Sequence, residues 1–323
     1  ADLIEEFVRH VGFEAVPAVL PALSTPPGRR NPNWELVDRA RDAAVSSGLV
    51  EVMTWSFIDA AADAEVDQLP LCPGPSIELG NPLSSTQSTM RRSLLPGLLT
   101  AVRDNLNQGE RSIAVFEQGR VFWQAEDQPK ESERLSVAVV GQRAGGGGAV
   151  GFSDLKGVVE NLIDRLGFEE IAWRRGGAPW LDEAQGAVLS TDGGEIVGCA
   201  GMLSRTIAEK WDVKTPVYLA ELDLTATADE IPLPGFVELP RFPAVTADMT
   251  VEHLTTMSYA ELTGVVREMA GNLVENIELQ ARYSGKKLPS GTVRTTLRLT
   301  YRAADRSLTQ DEVNEQQEAL RRG

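Results

Sequence analysis

The C-terminal run 245-VTADMTVEH-253, 258-SYAELTGVVREMAG-271, 273-LVENIELQARY-283, 292-TVRTTLRLTYR-302 and 309-TQDEVNEQQEAL-320 switches between a period of two and a period near 3.6. That alternation decides the fold of this part of the chain. VTADMTVEH alternates as a strand. Ser258 with Glu261 then forms a capping box for a helix expected to bury Leu262, Val265, Val266 and Met269, and Gly271 stops it. Two more strand patterns follow, and Thr309 with Glu312 makes a second capping box, across which Leu308 can staple to Val313. The order β-α-β-β-α is a split βαβ unit awaiting a closing strand where the sequence ends.

Working upstream, 230-EIPLPGFVELPRFP-243 is a proline-rich break and marks a domain boundary, and 14-EAVPAVLPALSTPPGRRNP-32 is a second connector. Between them lie strand patterns VEVMTWSF (50–57), SIAVFEQGRVFW (112–123), RLSVAVVG (134–141) and PVYLAELDL (216–224), plus a hairpin across Asp192-Gly193-Gly194. Helix patterns begin at Asn33, near Pro96 and at Ser153; the last places Leu155, Val158, Val159, Leu162, Ile163 and Leu166 on one face. Strands arriving as hairpin runs predict an α+β fold with a largely antiparallel sheet. The expected divisions are 1–24, 25–235 and 236–323.

At 323 residues the chain exceeds one ordinary core, and 42% hydrophobic with 24% charged residues is a globular composition. The mean hydropathy is -0.17, and no apolar run approaches a membrane span, so no membrane partner is expected. Two cysteines without a CxxC and two histidines rule out a structural zinc site and fit a reducing, cytoplasmic setting. The chain opens without Met in an amphipathic helix, as a piece cut from a longer protein would.

A net charge of -16 argues against bulk attraction to nucleic acid, but the charge is unevenly placed. From Leu239 onward 11 basic residues balance 11 acidic ones. Arg282, Lys286, Lys287, Arg294, Arg298, Arg302 and Arg306 meet only Asp305 within the same 25 residues. In Thr292–Arg302 the apolar residues Val293, Leu297, Leu299 and Tyr301 share one face, and Arg294, Arg298 and Arg302 share the other. At about 3.3 Å per residue the three arginines span about 26 Å, a row able to meet RNA phosphates. The competing reading is a solvated face that protects the sheet.

Asp2, Glu5 and Glu6 stand at i, i+3 and i+4 of the first helix, where three carboxylates can serve a hard cation such as Mg²⁺ or merely favour the helix dipole. Arg91 and Arg92 open the next candidate, as phosphate contacts or as surface decoration. AGGGG at 144–148 lacks the GK[ST] of a phosphate loop. His10 and His253 have no nucleophile nearby in sequence.

Taken together, ADLIEEFVRHVGFEAVP, GLVEVMTWSFI, NPLSSTQSTMRRSLLPGLL, FEQGRVF, FSDLKGVVENLIDRLG, VYLAELDL, RFPAVTADMTVEH, YSGKKLPSG and DRSLTQDEVN resemble the β subunit of bacterial phenylalanyl-tRNA synthetase. The resemblance implies a class II synthetase-like core followed by a ferredoxin-fold anticodon-binding domain. It further implies a chain that does not itself catalyse, working in a heterotetramer of two α and two β subunits that joins phenylalanine to tRNA. In that assembly the partner α subunit uses ATP. The absence of an FRxE arginine motif and of a GxGxxR motif agrees with a core that lacks the charge needed at a phosphoryl transition state.

The resemblance also implies Mg²⁺ at Asp2, Glu5 and Glu6, and tRNA contact through Lys286, Lys287, Arg294, Arg298 and Arg302. Ala247 stands where the family usually has arginine, and QARY where it has FDxY. The rival expectations are a detached paralogue acting as a protein-interaction scaffold without tRNA binding, and a self-sufficient class II enzyme.

Overall fold

The structure, a computed structural model, describes residues 2–17, 19, 32–67, 69–71, 74–126, 128–143, 146–168, 171–176, 179–225, 236, 238–285 and 288–322. The chain divides into two compact units, Ala1–Leu233 and Pro234–Gly323.

The first unit runs α1 (Asp2–Val11), α2 (Pro32–Ser46), β1 (Val50–Glu51), β2 (Phe57–Ile58), α3 (Ala60–Val66), β3 (Ile77–Glu78), β4 (Thr89–Met90) and α4 (Leu95–Asn107). It continues through β5 (Ile113–Gln124), β6 (Pro129–Val140), α5 (Phe152–Leu166), β7 (Ala172–Arg175), β8 (Leu181–Ser190), β9 (Ile196–Leu203), α6 (Arg205–Lys210) and β10 (Val217–Asp223). A seven-stranded sheet is ordered β1-β5-β6-β10-β9-β8-β7, and β2-β4-β3 form a small second sheet. All neighbours in the large sheet are antiparallel except β1 and β5.

Strands buried on both faces read as continuous apolar runs, which is why SVAVV in β6 lacks a polar alternate. On one face α2 and α5 set Leu36, Ala40, Leu155, Val159 and Leu162 against Phe116, Leu135 and Leu222. On the other α4 sets Leu95, Leu98, Leu99 and Val102 against Val115, Ala138 and Leu219. Helix α5 is capped by Asp154, whose carboxylate accepts from Gly151 N at 2.8 Å, rather than by the expected Ser153. It ends at Gly167 with φ of 74°, a left-handed stop open to glycine.

The predicted strand 50–57 is not continuous. Its ends pair as β1 and β2, and Val52 N and Ser56 O keep backbone bonds to Phe116 O and Arg91 N, but residues 53–55 leave the ladder. The reason is local: Thr54 hydrogen-bonds a buried side chain, the carboxylate of Glu117, through both its backbone N–H and its hydroxyl.

The second unit runs β11 (Val245–Leu254), α7 (Tyr259–Ala270), β12 (Val274–Tyr283), β13 (Thr292–Tyr301) and α8 (Gln310–Arg322), with an antiparallel sheet ordered β11-β13-β12. Both capping boxes form: Ser258 N donates to Glu261 at 2.7 Å and Thr309 N to Glu312 at 2.8 Å. Met249, Leu262, Val266, Leu297, Leu299, Tyr301, Leu308 and Val313 make the core. Val265 and Met269, expected inside, are 48% and 38% exposed, because α7 buries only the narrower stripe Leu262–Val266–Ala270. No helix among the described residues is long and apolar enough to cross a membrane.

Candidate functional site

In the second unit β13 lies between two strands, and its even-numbered side chains point away from the helices. Residues directly opposite on antiparallel strands share a face. The register therefore sets Asp248 and Glu278 opposite Arg298, and Glu252 and Tyr283 opposite Arg294. Each arginine is taken by a carboxylate. Arg294 Nε is 3.0 Å from Glu252, Arg298 holds Asp248 through two bonds of 2.8 and 2.9 Å, and Arg302 Nε is 2.9 Å from Glu275.

The expected open row of guanidinium groups is thus corrected to a ladder of ion pairs, with three arginines against Asp248, Glu252, Glu275 and Glu278. The acids arrive from strands 20 to 50 residues away, beyond what the pattern of one strand can report. The Arg298 guanidinium holds the Asp248 carboxyl below its ordinary value, so the pair persists at neutral pH and breaks only as pH falls through that lowered value. Lys286 and Lys287 lie outside the described residues.

The same face carries an aromatic group that strand-by-strand reading missed. Tyr283 is 50% exposed beside Arg294, and its ring lies over Gly285, where an added Cβ would sit 2.2 Å from the phenol oxygen. No side chain other than glycine's fits under that ring without displacing it.

In the first unit a charged centre is buried on the α4 face of the large sheet. Glu221 Oε2 accepts from Ser93 Oγ at 2.8 Å, Leu94 N at 2.9 Å and Ser136 Oγ at 2.8 Å, while Oε1 takes Arg134 Nη1 at 3.1 Å. A buried carboxylate therefore caps the N-terminus of α4, where the helix dipole favours an anion. Arg91 and Arg92, candidate phosphate contacts in the sequence, are 5% and 4% exposed. Arg91 pairs with Glu117 at 2.7 Å and Arg92 with Asp63 at 2.7 Å. Burial pushes the Cys199 thiol up to about 12, with the nearby Glu221 charge adding to it, so the thiol stays protonated and is no nucleophile.

In α1 the three candidate metal ligands do not assemble. Glu6 is turned to Arg9 at 2.8 Å, and no group of three His, Cys, Asp or Glu side chains among the described residues is placed to hold a metal ion. The i, i+3, i+4 spacing puts carboxylates on one helix side without making their oxygens converge, so these residues do not fit a Mg²⁺ site here. His253 has both ring nitrogens engaged, by Thr295 Oγ1 at 2.8 Å and Leu254 O at 2.9 Å.

Around residues 53–57 the surface is apolar. Met53 is 91% exposed, Trp55 75% and Phe57 41%. Met53, Trp55 and Phe57 line an open cleft of about 610 Å³ with Gly97, Thr100 and Trp211.

Residues 16–224 match the phenylalanyl tRNA synthetase beta chain CLM domain, and residues 240–322 match the ferredoxin-fold anticodon binding domain. The chain belongs to the phenylalanyl-tRNA synthetase beta chain family. It is 36% identical to the phenylalanine–tRNA ligase beta subunit of Symbiobacterium thermophilum, over 99% of this chain and 37% of that protein. It is 34% identical to that of Moorella thermoacetica, over 99% of this chain and 41% of that protein. The chain therefore spans about two-fifths of the length of these relatives. Among solved structures, a pyrrolysyl-tRNA synthetase from Desulfitobacterium hafniense is similar at 18% identity and a TM-score of 0.47, covering 70% of this chain and 72% of that one.

For a phenylalanyl-tRNA synthetase beta chain, the two matched domains correspond to the α+β core and the split βαβ unit expected from the sequence. Sequence reasoning found the arginine row and the Arg91-Arg92 pair but not their carboxylates. It passed over Thr54 and Tyr283, whose roles arise from cross-strand neighbours.

Proposed function

We propose that this chain is a tRNA-binding and subunit-docking portion of a phenylalanine–tRNA ligase β subunit that does not itself activate the amino acid. The observation that carries this reading is the closed charge centre of the first unit. Among the described residues Arg91, Arg92 and Arg134 are the buried cations of the core, and each is neutralised by the chain's own carboxylates. Phosphoryl transfer needs preorganised positive charge aimed at the phosphate oxygens, and cations already paired in a dry interior do not supply it. ATP and its Mg²⁺ then belong to the α subunit, in a cytoplasmic assembly of two α and two β chains.

The α subunit docks on the apolar surface formed by Met53, Trp55 and Phe57. An exposed aromatic cluster beside a cleft is the composition of an interface centre, and a chain from a family of beta subunits has a second kind of subunit to receive. RNA meets the outer sheet face of the second unit, with Tyr283 as a stacking platform and Arg294, Arg298, Lys286 and Lys287 as phosphate partners. Exposed ion pairs are worth only about 0–1 kcal/mol, so a phosphate can exchange with Asp248 or Glu252.

This sets up a test. Asp248→Asn with Glu252→Gln removes the hydrogen-bonded carboxylates of Arg298 and Arg294, leaving Glu278 across from Arg298, and tRNA affinity of the assembled ligase should rise by roughly tenfold with a salt slope steeper by about 1.5. The ion-paired ladder favours one rival, a scaffold that does not engage tRNA. On that reading the double variant and the parent both bind tRNA no better than the α subunit measured alone.

A further inference from the structure

The docking segment has no ladder of its own, yet its side chains alternate strictly between half-buried and exposed from Glu51 to Ile58. Something beneath it must set that alternation. Thr54 is the inward residue between the two most exposed ones, Met53 and Trp55. Its backbone N–H donates to Glu117 Oε1 at 3.1 Å and its hydroxyl to Glu117 Oε2 at 2.8 Å. Glu117 is 1% exposed and is also held by Arg91 Nη1 at 2.7 Å. Arg91 in turn reaches Thr54 Oγ1 at 3.2 Å and Arg120 O at 2.9 Å, and its own N–H donates to Ser56 O at 2.9 Å.

A third element closes the arrangement. Gly97 of α4 lies so near that a Cβ there would be 2.2 Å from Thr54 Oγ1 and 2.9 Å from Thr54 Cβ. Real Cβ atoms do not approach that closely, so glycine at 97 is what lets Thr54 seat against both the helix and the carboxylate.

We infer that Thr54 is a positioning residue, a latch through which the buried Arg91–Glu117 pair holds Met53 and Trp55 in the orientation that receives the partner subunit. The inference rests on the docking reading above and adds to it the residues that preorganise the surface. Buried ion pairs contribute little net stability, and fixing one local geometry is a role they serve well. Holding an interface segment in its bound conformation removes the ordering cost of association, so the latch acts on affinity. Glu117 Oε2 has no donor other than the Thr54 hydroxyl among the hydrogen bonds of the described residues, so Thr54→Val leaves that oxygen dry and unpaired.

The test uses the full β subunit and its purified α partner, comparing Thr54→Val, Thr54→Ser, Gly97→Ala and Trp55→Ala by α–β dissociation constant and by amide exchange over residues 52–58. Thr54→Val and Gly97→Ala should each weaken association at least about tenfold and speed exchange in that segment, while Thr54→Ser stays near the parent. Gly97→Ala pushes on the Thr54 hydroxyl while leaving the Thr54, Glu117 and Arg91 side chains chemically intact, so it tests the inference even where Thr54→Val folds poorly. If Trp55→Ala weakens association but Thr54→Val and Gly97→Ala do not, the latch is wrong and the docking surface stands. If Trp55→Ala also changes nothing, the docking surface and the latch fall together.

Discussion

Replacing Glu221 by Ala is expected to destabilise the seven-stranded unit by roughly 3–5 kcal/mol, the cost of removing one member of a buried ion pair. Four donors converge on this carboxylate: the hydroxyls of Ser93 and Ser136, the backbone N–H of Leu94 and the Arg134 guanidinium. Arg134 keeps Asp223 at 3.2 Å and Leu71 O at 3.0 Å, so its charge is not wholly abandoned, but the N-terminus of α4 loses its anion. The double change Arg134→Met with Glu221→Leu should recover part of the loss, because it removes the stranded charge together with its partner. Urea unfolding of the two variants, followed by a probe in the first unit so that the two units are not averaged, measures both numbers. A loss below about 1 kcal/mol for Glu221→Ala would mean that water reaches the centre and that it is not sealed.

The second large effect is expected at Tyr283. Stacking of one base on an aromatic ring is worth about 1–3 kcal/mol by alanine substitution, so Tyr283→Ala should weaken tRNA binding by the assembled ligase roughly 5- to 150-fold. Tyr283→Phe should retain most of the affinity, since the face of the ring and not its hydroxyl makes the contact. The loss should show little salt dependence, in contrast to any change at Arg294 or Arg298, because stacking releases no counterions. Gly285→Ala offers a second route to the same result by pushing the ring off its bed. Filter binding or fluorescence titration at two salt concentrations separates these cases. Unchanged affinity in Tyr283→Ala would remove the stacking platform.

Much of the fold was legible because it is written locally. The capping boxes at Ser258 and Thr309, the α5 stripe and the Asp192-Gly193-Gly194 hairpin depend on residues within a few positions of one another, and each forms. The site was less legible because its chemistry depends on register between distant segments. Arg298 looks free in its own strand and becomes half of a bidentate pair only when β11 brings Asp248 alongside, 50 residues upstream. Arg91 and Arg92 are adjacent in sequence and suggest a surface patch. Each is instead buried against its own carboxylate, Glu117 for Arg91 and Asp63 for Arg92. VEVMTWSF has a strand pattern, but Glu117 claims its middle. Paired carboxylates have no sequence signature separate from solvated ones, and only the fold decides which arginines are open to a ligand.

If the buried cations of the core serve the chain's own carboxylates and not a nucleotide, the chain cannot activate phenylalanine without α. Phenylalanine-dependent exchange of pyrophosphate into ATP tests it most directly, measured with this chain alone and again after the α subunit is added. No exchange above background is expected from the chain alone, and robust exchange once α is present. Exchange catalysed by the chain without α, and abolished by Arg134→Ala, would contradict it.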